Sequence, residues 1–283
     1  MKNNRLTIAA QAVKSNRQLM AGCIGVLALL VLMIAAPLIS TEDPTIYGPD
    51  VLNGLGENGH ILGTNHLGQD VYSMIIYGVR TSVKVAVISA MISGILGVLI
   101  GGAAGFLGGK VDVIISEIIN VFMMLPTFFL ILLIVALFGN SLTNVMIVIG
   151  ITTWPGNAKL MRAQALSLRE RVFVKSAEAM GETRRQILFK YIIPNGIFPV
   201  IANTTLGMAN AILTEAGLSF LGLGDPSIIS WGQMIYAGKQ YITSAWWICA
   251  FSGIAIIIAV LIFYMLGDGL NKVMDPRYNK RRA

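Results

Sequence analysis

An all-α, polytopic membrane protein with six transmembrane helices is the fold class that this sequence predicts, on two grounds. Of its 283 residues, 55% are hydrophobic and only 12% charged, whereas a soluble domain carries about 25% charged residues. So little charge leaves too little polar surface to keep a globule dissolved. The charges are also segregated: they fall in short stretches between apolar runs of the roughly 20 residues that a helix needs to cross a bilayer. A net charge of +7 therefore reports membrane orientation rather than nucleic-acid binding. Two cysteines and the lack of low-complexity tracts exclude a disulfide scaffold and a disordered chain.

A cytoplasmic N-terminal segment, residues 1–19, leads into a first span at Met20–Ile39 that holds no charge. This run is longer than a signal-peptide core, and Pro37-Leu38-Ile39 offers no small-residue cleavage site, so it is expected to stay as an anchor. Residues 40–82 then form an extracytoplasmic segment. The core, 83–267, has five spans at Val83–Phe106, Val113–Phe138, Leu142–Met161, Ile192–Leu213 and Trp246–Gly267, and residues 268–283 make a basic cytoplasmic tail. Pro126 and Pro199 lie inside spans, where bundle neighbours are expected to tolerate them. With both termini cytoplasmic, every Lys and Arg except Arg80, Lys84 and Lys239 falls inside. Residues 40–82 instead carry Glu42, Asp43, Asp50, Glu57 and Asp70. That asymmetry sets the orientation.

In the second span Gly97, Gly101, Gly105 and Gly109 recur every four residues, a face for close helix approach. The run is not a phosphate loop, because Ala104 stands where glycine is needed and Val111 follows Lys110 in place of Ser or Thr. ATP is thus expected on separate subunits. His60 and His66 lack metal-ligand spacing and read as surface or loop-bonding residues, and Cys23 and Cys249 as packing residues in apolar spans. No nucleophile–base pair is visible, so no metal site and no catalytic residue are expected.

The fifth span carries Asn203, Gly207, Asn210 and Thr214 at three- and four-residue spacing, a polar-and-small stripe. It reads either as the lining of a transport path or as hydrogen-bond glue between helices. Glu117 and Asn120 lie near the inner end of the third span, where Glu117 reads as a gate or as a carboxylate reaching interfacial water. Asp70 and Arg80 bracket a segment expected to fold amphipathically at the pore mouth.

Residues 162–191, RAQALSLRERVFVKSAEAMGETRRQILFKY, have the periodicity of two short amphipathic helices joined at Gly181, with Glu182-Thr183 restarting the second. Periodicity leaves open an interfacial basic pair on anionic lipid and a docking site for a cytoplasmic partner. Lys175-Ser176-Ala177, then Gly181 and Tyr191-Ile192-Ile193-Pro194, resembles the EAA motif of binding-protein-dependent ABC importer permeases. Ala177, Gly181 and Pro194 match it; Lys175, Ser176, Tyr191 and Ile193 depart from it. Leu62-Gly63-Thr64, Leu67-Gly68-Gln69-Asp70, Gly78-Val79-Arg80, Glu215–Gly224 (EAGLSFLGLG), Ser230-Trp231-Gly232, Leu266-Gly267-Asp268-Gly269-Leu270 and Asp275-Pro276-Arg277 extend the likeness over nearly the whole chain. Together they resemble the C-type permeases of dipeptide, oligopeptide and nickel importers, with Gln69 where Arg is usual.

The resemblance implies a type I ABC importer permease (MetI-like) fold with cytoplasmic coupling helices, in the inner membrane of a bacterium. It implies a homologous permease as heterodimer partner, two ATPases that bind ATP and magnesium, and an extracytoplasmic binding protein. It assigns Lys175, Ser176, Ala177, Glu178, Ala179, Gly181 and Pro194 to ATPase coupling. The outer region and Glu215–Gly232 become candidates for contact with the binding protein. A path lined by neutral polar groups suits a di- or oligopeptide, with nickel or another metal chelate as the alternative cargo. An ion-coupled secondary transporter and a membrane enzyme are the readings from other classes; the spans lack coupling-ion residues for the first and a catalytic cluster for the second.

Overall fold

The computed structural model describes residues 16–274. Lys2, Arg5, Lys14, Arg277, Lys280, Arg281, Arg282 and the Asp275-Pro276-Arg277 motif lie outside the described residues. Among those described, no strand forms; Thr64 and Asp70 make one isolated bridge.

Helix α1 spans Arg17–Ile39, capped by Asn16, whose side chain accepts from the Gln18 and Leu19 N–H groups. Pro37 lies inside it. Proline has no N–H, so the carbonyl four residues earlier, that of Met33, loses its helical donor. Arg80 replaces that donor, its Nε donating to the Met33 carbonyl at 2.8 Å. This gives a structural reason for one of the three basic residues on the outer side.

Helix α2 runs from Val71 to Leu107, 37 residues, about 55 Å by helix rise. It starts well before the expected Val83, because Asp70 is an N-cap whose Oδ2 accepts from Ser73 N–H at 2.8 Å. The stretch between Asp70 and Arg80 is therefore the first turns of this helix, and the outer segment folds over 40–70 only. Three of the four expected glycines do form a packing face. A Cβ on Gly97, Gly101 or Gly105 would overlap Asn157, Ala158 or Arg162 of α5. Gly109 is not part of that face: the helix stops at Leu107, Gly108 (φ +68°) breaks it, and a Cβ on Gly109 would meet nothing within 4 Å.

The expected straight span Val113–Phe138 is two helices, α3 at Gly109–Met124 and α4 at Thr127–Phe138, bent by 85°. Pro126 lacks a donor and forces Leu125 into an extended conformation (φ −83°, ψ 133°), so the bundle does not absorb it. Helix α5, Leu142–Arg169, runs past the expected end at Met161. Helix α6 is Val172–Ala179. Helix α7, Arg184–Gly196, contains a π turn at Leu188–Ile192 and meets α8, Phe198–Phe220, at 61°. The fifth span thus begins at Phe198 rather than Ile192. Pro199 sits in its first turn, where a missing N–H removes no bond. Helices α9 (Trp231–Gly238) and α10 (Trp246–Met274) complete the chain.

Among the described residues, three helices can cross a membrane by length and apolarity, or five when each bent pair counts as one span. The expected six is one more. Helix α5, 28 residues long, is the missing one, since Thr152, Thr153, Asn157, Lys159 and Arg162 dilute its apolar face. In the bundle α2 lies along α5, α8 packs against α2 and α10, and α1 packs against α10.

Candidate coupling loop and polar groove

At the inner end, the expected helix pair is present as α6 and the start of α7. Ala163 and Leu166, expected in the first of the pair, belong instead to α5. Gly181 has φ +80°, the Glu182 N–H donates to the Ala177 carbonyl at 3.1 Å, and the Gly181 N–H to Glu178 at 3.0 Å. This is a Schellman ending, which places a left-handed residue where glycine is needed. Thr183 then starts α7 with a capping box to Gln186. Across the turn, the Glu182 carboxylate accepts from Lys190 Nζ and Tyr191 Oη, both at 2.8 Å. The Lys190 hydrogen bond, with that of Tyr191, holds the Glu182 carboxyl below its ordinary value.

The helix period splits the expected coupling residues between two faces. Ala177 is 1% exposed and, with Val174, packs among Phe106, Met161, Ala165, Ile187, Ile192 and Val200. It therefore joins α6 to the inner ends of α2, α5, α7 and α8 and faces away from solvent. Lys175, Ser176, Glu178, Ala179, Gly181 and Pro194 are exposed, and so are Val172 and Met180, two apolar side chains not anticipated from the motif. Lys175, at the departure from the motif, lies 3.3 Å from Glu170 and holds that carboxyl below its ordinary value. Arg162 and Asp112 form a two-pronged pair between α5 and α3, Nη2 to Oδ2 at 2.7 Å.

In the middle of the bundle, Asn203, Gly207, Asn210 and Thr214 line one groove of about 150 Å³. The opposite walls are Ser89 and Ser93 of α2 and Thr153 and Asn157 of α5. Asn203 Nδ2 donates to Asn157 Oδ1 at 2.9 Å, and Asn157 Nδ2 to Ser93 Oγ at 3.0 Å. One chain of hydrogen bonds thus both lines the groove and ties three helices. Sequence reasoning missed Ser89, Ser93, Thr153 and Asn157. Each pair is spaced by four residues, which was the available signal. Glu117 and Asn120 are exposed on α3 and do not line this groove.

At the outer end the glycine-rich signatures become contacts. The Glu215 carboxylate, 4% exposed, accepts from Ser219 Oγ at 2.8 Å and Ser230 Oγ at 2.9 Å. A Cβ on Gly224 or Gly232 would overlap Ser219, and one on Gly78 the Trp231 ring, whose Nε1 donates to the Ile75 carbonyl. His60 is buried beside Asp70, Nδ1 to Oδ1 at 3.1 Å, and His66 stacks on Tyr241. Gln69 donates to the Pro44 carbonyl and accepts from Asn65. Cys23 and Cys249 are free thiols.

Residues 97–280 match the binding-protein-dependent transport system inner membrane component family. The chain belongs to that family. This permease is therefore a multi-pass component of an inner membrane and a transport subunit rather than an enzyme. It works with ATPase and substrate-binding partners, which sets aside the ion-coupled carrier and the membrane enzyme. It is 36% identical over 271 residues to the dipeptide transport system permease protein DppC of Alkalihalophilus pseudofirmus, covering 95% of this chain and 89% of that protein. It is 33% identical to the probable D,D-dipeptide transport system permease protein DdpC of Escherichia coli, over 90% of this chain and 86% of that protein. A solved structure of the MetNI methionine ABC transporter in an inward-facing conformation matches with TM-score 0.56 and 19% identity. The match covers 71% of the permease and 97% of that chain and extends to the MetI-like fold.

Proposed function

We propose that this permease pairs with a homologous, non-identical permease to form the translocation path for di- and oligopeptides delivered by a binding protein. Two cytoplasmic ATPases, holding ATP and magnesium, supply the energy through the turn at Gly181. The observation that carries the reading of the path is the uncharged polar groove at Asn203–Thr214, bounded on three sides by helices. Neutral hydrogen-bonding groups let a zwitterionic peptide pass without a fixed charge to trap it. The peptide cargo rests on the printed names of the relatives. The distribution of Lys and Arg supports a cytoplasmic location for both termini. The coupling surface is the exposed side of α6, with Ser176, Glu178, Met180 and Gly181 toward the ATPase and Ala177 joining it to the bundle from behind.

The test is uptake of a radiolabelled dipeptide into vesicles holding the full complex, with binding protein outside and ATP enclosed in the lumen, where the ATPases lie. ATP-dependent accumulation is expected. Accumulation driven by an ion gradient in the absence of any ATPase, or uptake of a nickel chelate and no peptide, would overturn the reading.

A further inference from the structure

A second hollow lies at the outer end, away from the groove. It encloses about 490 Å³ between the 40–70 segment, the loop after α8, and α9. That volume falls in the range of small-molecule sites, about 300–1,000 Å³. Its walls are braced: Trp247 Nε1 donates to the Thr64 carbonyl at 3.2 Å, Asn140 Nδ2 to the Gly224 carbonyl at 2.9 Å, and Asn65 to Gln69 at 2.8 Å. The cavity is therefore pre-formed and loses little entropy on filling.

No Lys, Arg, Asp or Glu lines it. Several of its polar side chains are already bonded within the protein. Four others are not: among the described residues, the Gln233 amide and the Tyr47 and Tyr236 hydroxyls make no side-chain hydrogen bond, and His66 Nδ1 is buried without a partner. Burial pushes His66 below the ordinary imidazole value. An amide that donates and accepts at once matches a peptide bond, and aromatic faces accept varied side chains. A wall without charge offers no ion pair to a charged side chain, so its polar contacts go to the peptide backbone. A short run of contacts links the cavity wall to the transport groove. Thr214 lines the groove, and Glu215 accepts from Ser230 in the cavity wall.

We propose that this cavity is a vestibule that holds a short peptide of two or three residues by its backbone before the peptide enters the groove. The proposal rests on the peptide-permease reading above. The vestibule selects for peptide bonds and for length, leaving side-chain preference elsewhere.

The experiment uses the full complex in vesicles with radiolabelled trialanine as probe. Gln233→Ala and Tyr236→Phe each remove one bond to the peptide and should raise the KM for uptake about 2- to 10-fold. Ala237→Trp, which fills the cavity from α9, should raise it further. Since the Gln233 side chain bonds nothing in the protein, its loss does not threaten folding. The binding-protein concentration that half-maximally stimulates ATP hydrolysis should stay at its wild-type value. A shift in that concentration with KM unchanged would make the cavity a docking surface and overturn the proposal, as would an unaltered KM in all three variants. Failure of the wild-type complex to take up trialanine would instead overturn the peptide reading, and the vestibule with it.

Discussion

Replacing Gly181 separates the geometry of the coupling turn from its contacts. Its φ of +80° lies in the left-handed region, and a Cβ there would meet nothing within 4 Å. The penalty is therefore purely backbone strain, about 1–2 kcal/mol for an ordinary residue, less for asparagine and more for a β-branched one. That strain opposes the two bonds closing the turn, Glu182 to Ala177 and Gly181 to Glu178. It lowers the ratio of correctly turned to unturned loops by about 5- to 30-fold. Because Val174 and Ala177 are buried against α2, α5, α7 and α8, the rest of the bundle should insert and fold normally. In vesicles, ATP hydrolysed per peptide imported should rise in the order Asn, Ala, Val at position 181, with membrane levels unchanged. Normal coupling in Gly181→Val would refute the role of the turn. Loss that follows side-chain volume, with Asn worse than Ala, would refute strain as its cause.

Three further outcomes follow from particular contacts. Arg80→Ala strips the Met33 carbonyl of its replacement donor and should cost about 1–3 kcal/mol. Adding Pro37→Ala restores the helical N–H and should return part of that loss, as a double-mutant cycle on thermal unfolding in detergent will read; strict additivity would deny the compensation. Asn157→Ala breaks bonds to both Ser93 and Asn203, at about 0.6–2 kcal/mol each, so it should destabilise more than Asn203→Ala, which breaks one; equal melting shifts would contradict the network. Glu182, whose carboxyl is held below its ordinary value by Lys190 and then Tyr191, stabilises the turn above the ordinary carboxylate value. That contribution is lost as pH falls through the depressed value. The protection of amides in residues 179–187, taken relative to intrinsic exchange at each pH, should therefore fall in acid, and Glu182→Gln should abolish that fall.

Much of the fold was legible because bilayer burial is a constraint on composition. Uninterrupted apolar runs marked α1 and α10, and glycines at every fourth position marked the α2–α5 contact. The Gly181 turn was legible for a different reason, since a left-handed helix ending selects its residue type locally. The bends were misjudged. Pro126 and Pro199 were expected to be absorbed, yet at Pro126 the missing donor and the extended Leu125 bend the backbone, and Pro199 falls in the first turn of α8 just after the 61° bend. Asn157 went unremarked although Thr153 lies four residues before it, because that spacing names no partner; only Ser93 on α2 and Asn203 on α8 give it meaning.

Membrane residence and the uneven distribution of Lys and Arg between the spans were determined by the sequence alone, since solvation acts on each residue wherever it ends up in space. Which side of α6 faces outward, which carbonyl Arg80 serves, and that Ser93, Asn157 and Asn203 meet were decided only by the tertiary structure. These depend on helices distant along the chain being brought within about 3 Å of one another, and pairwise contacts at that range leave no mark on local composition.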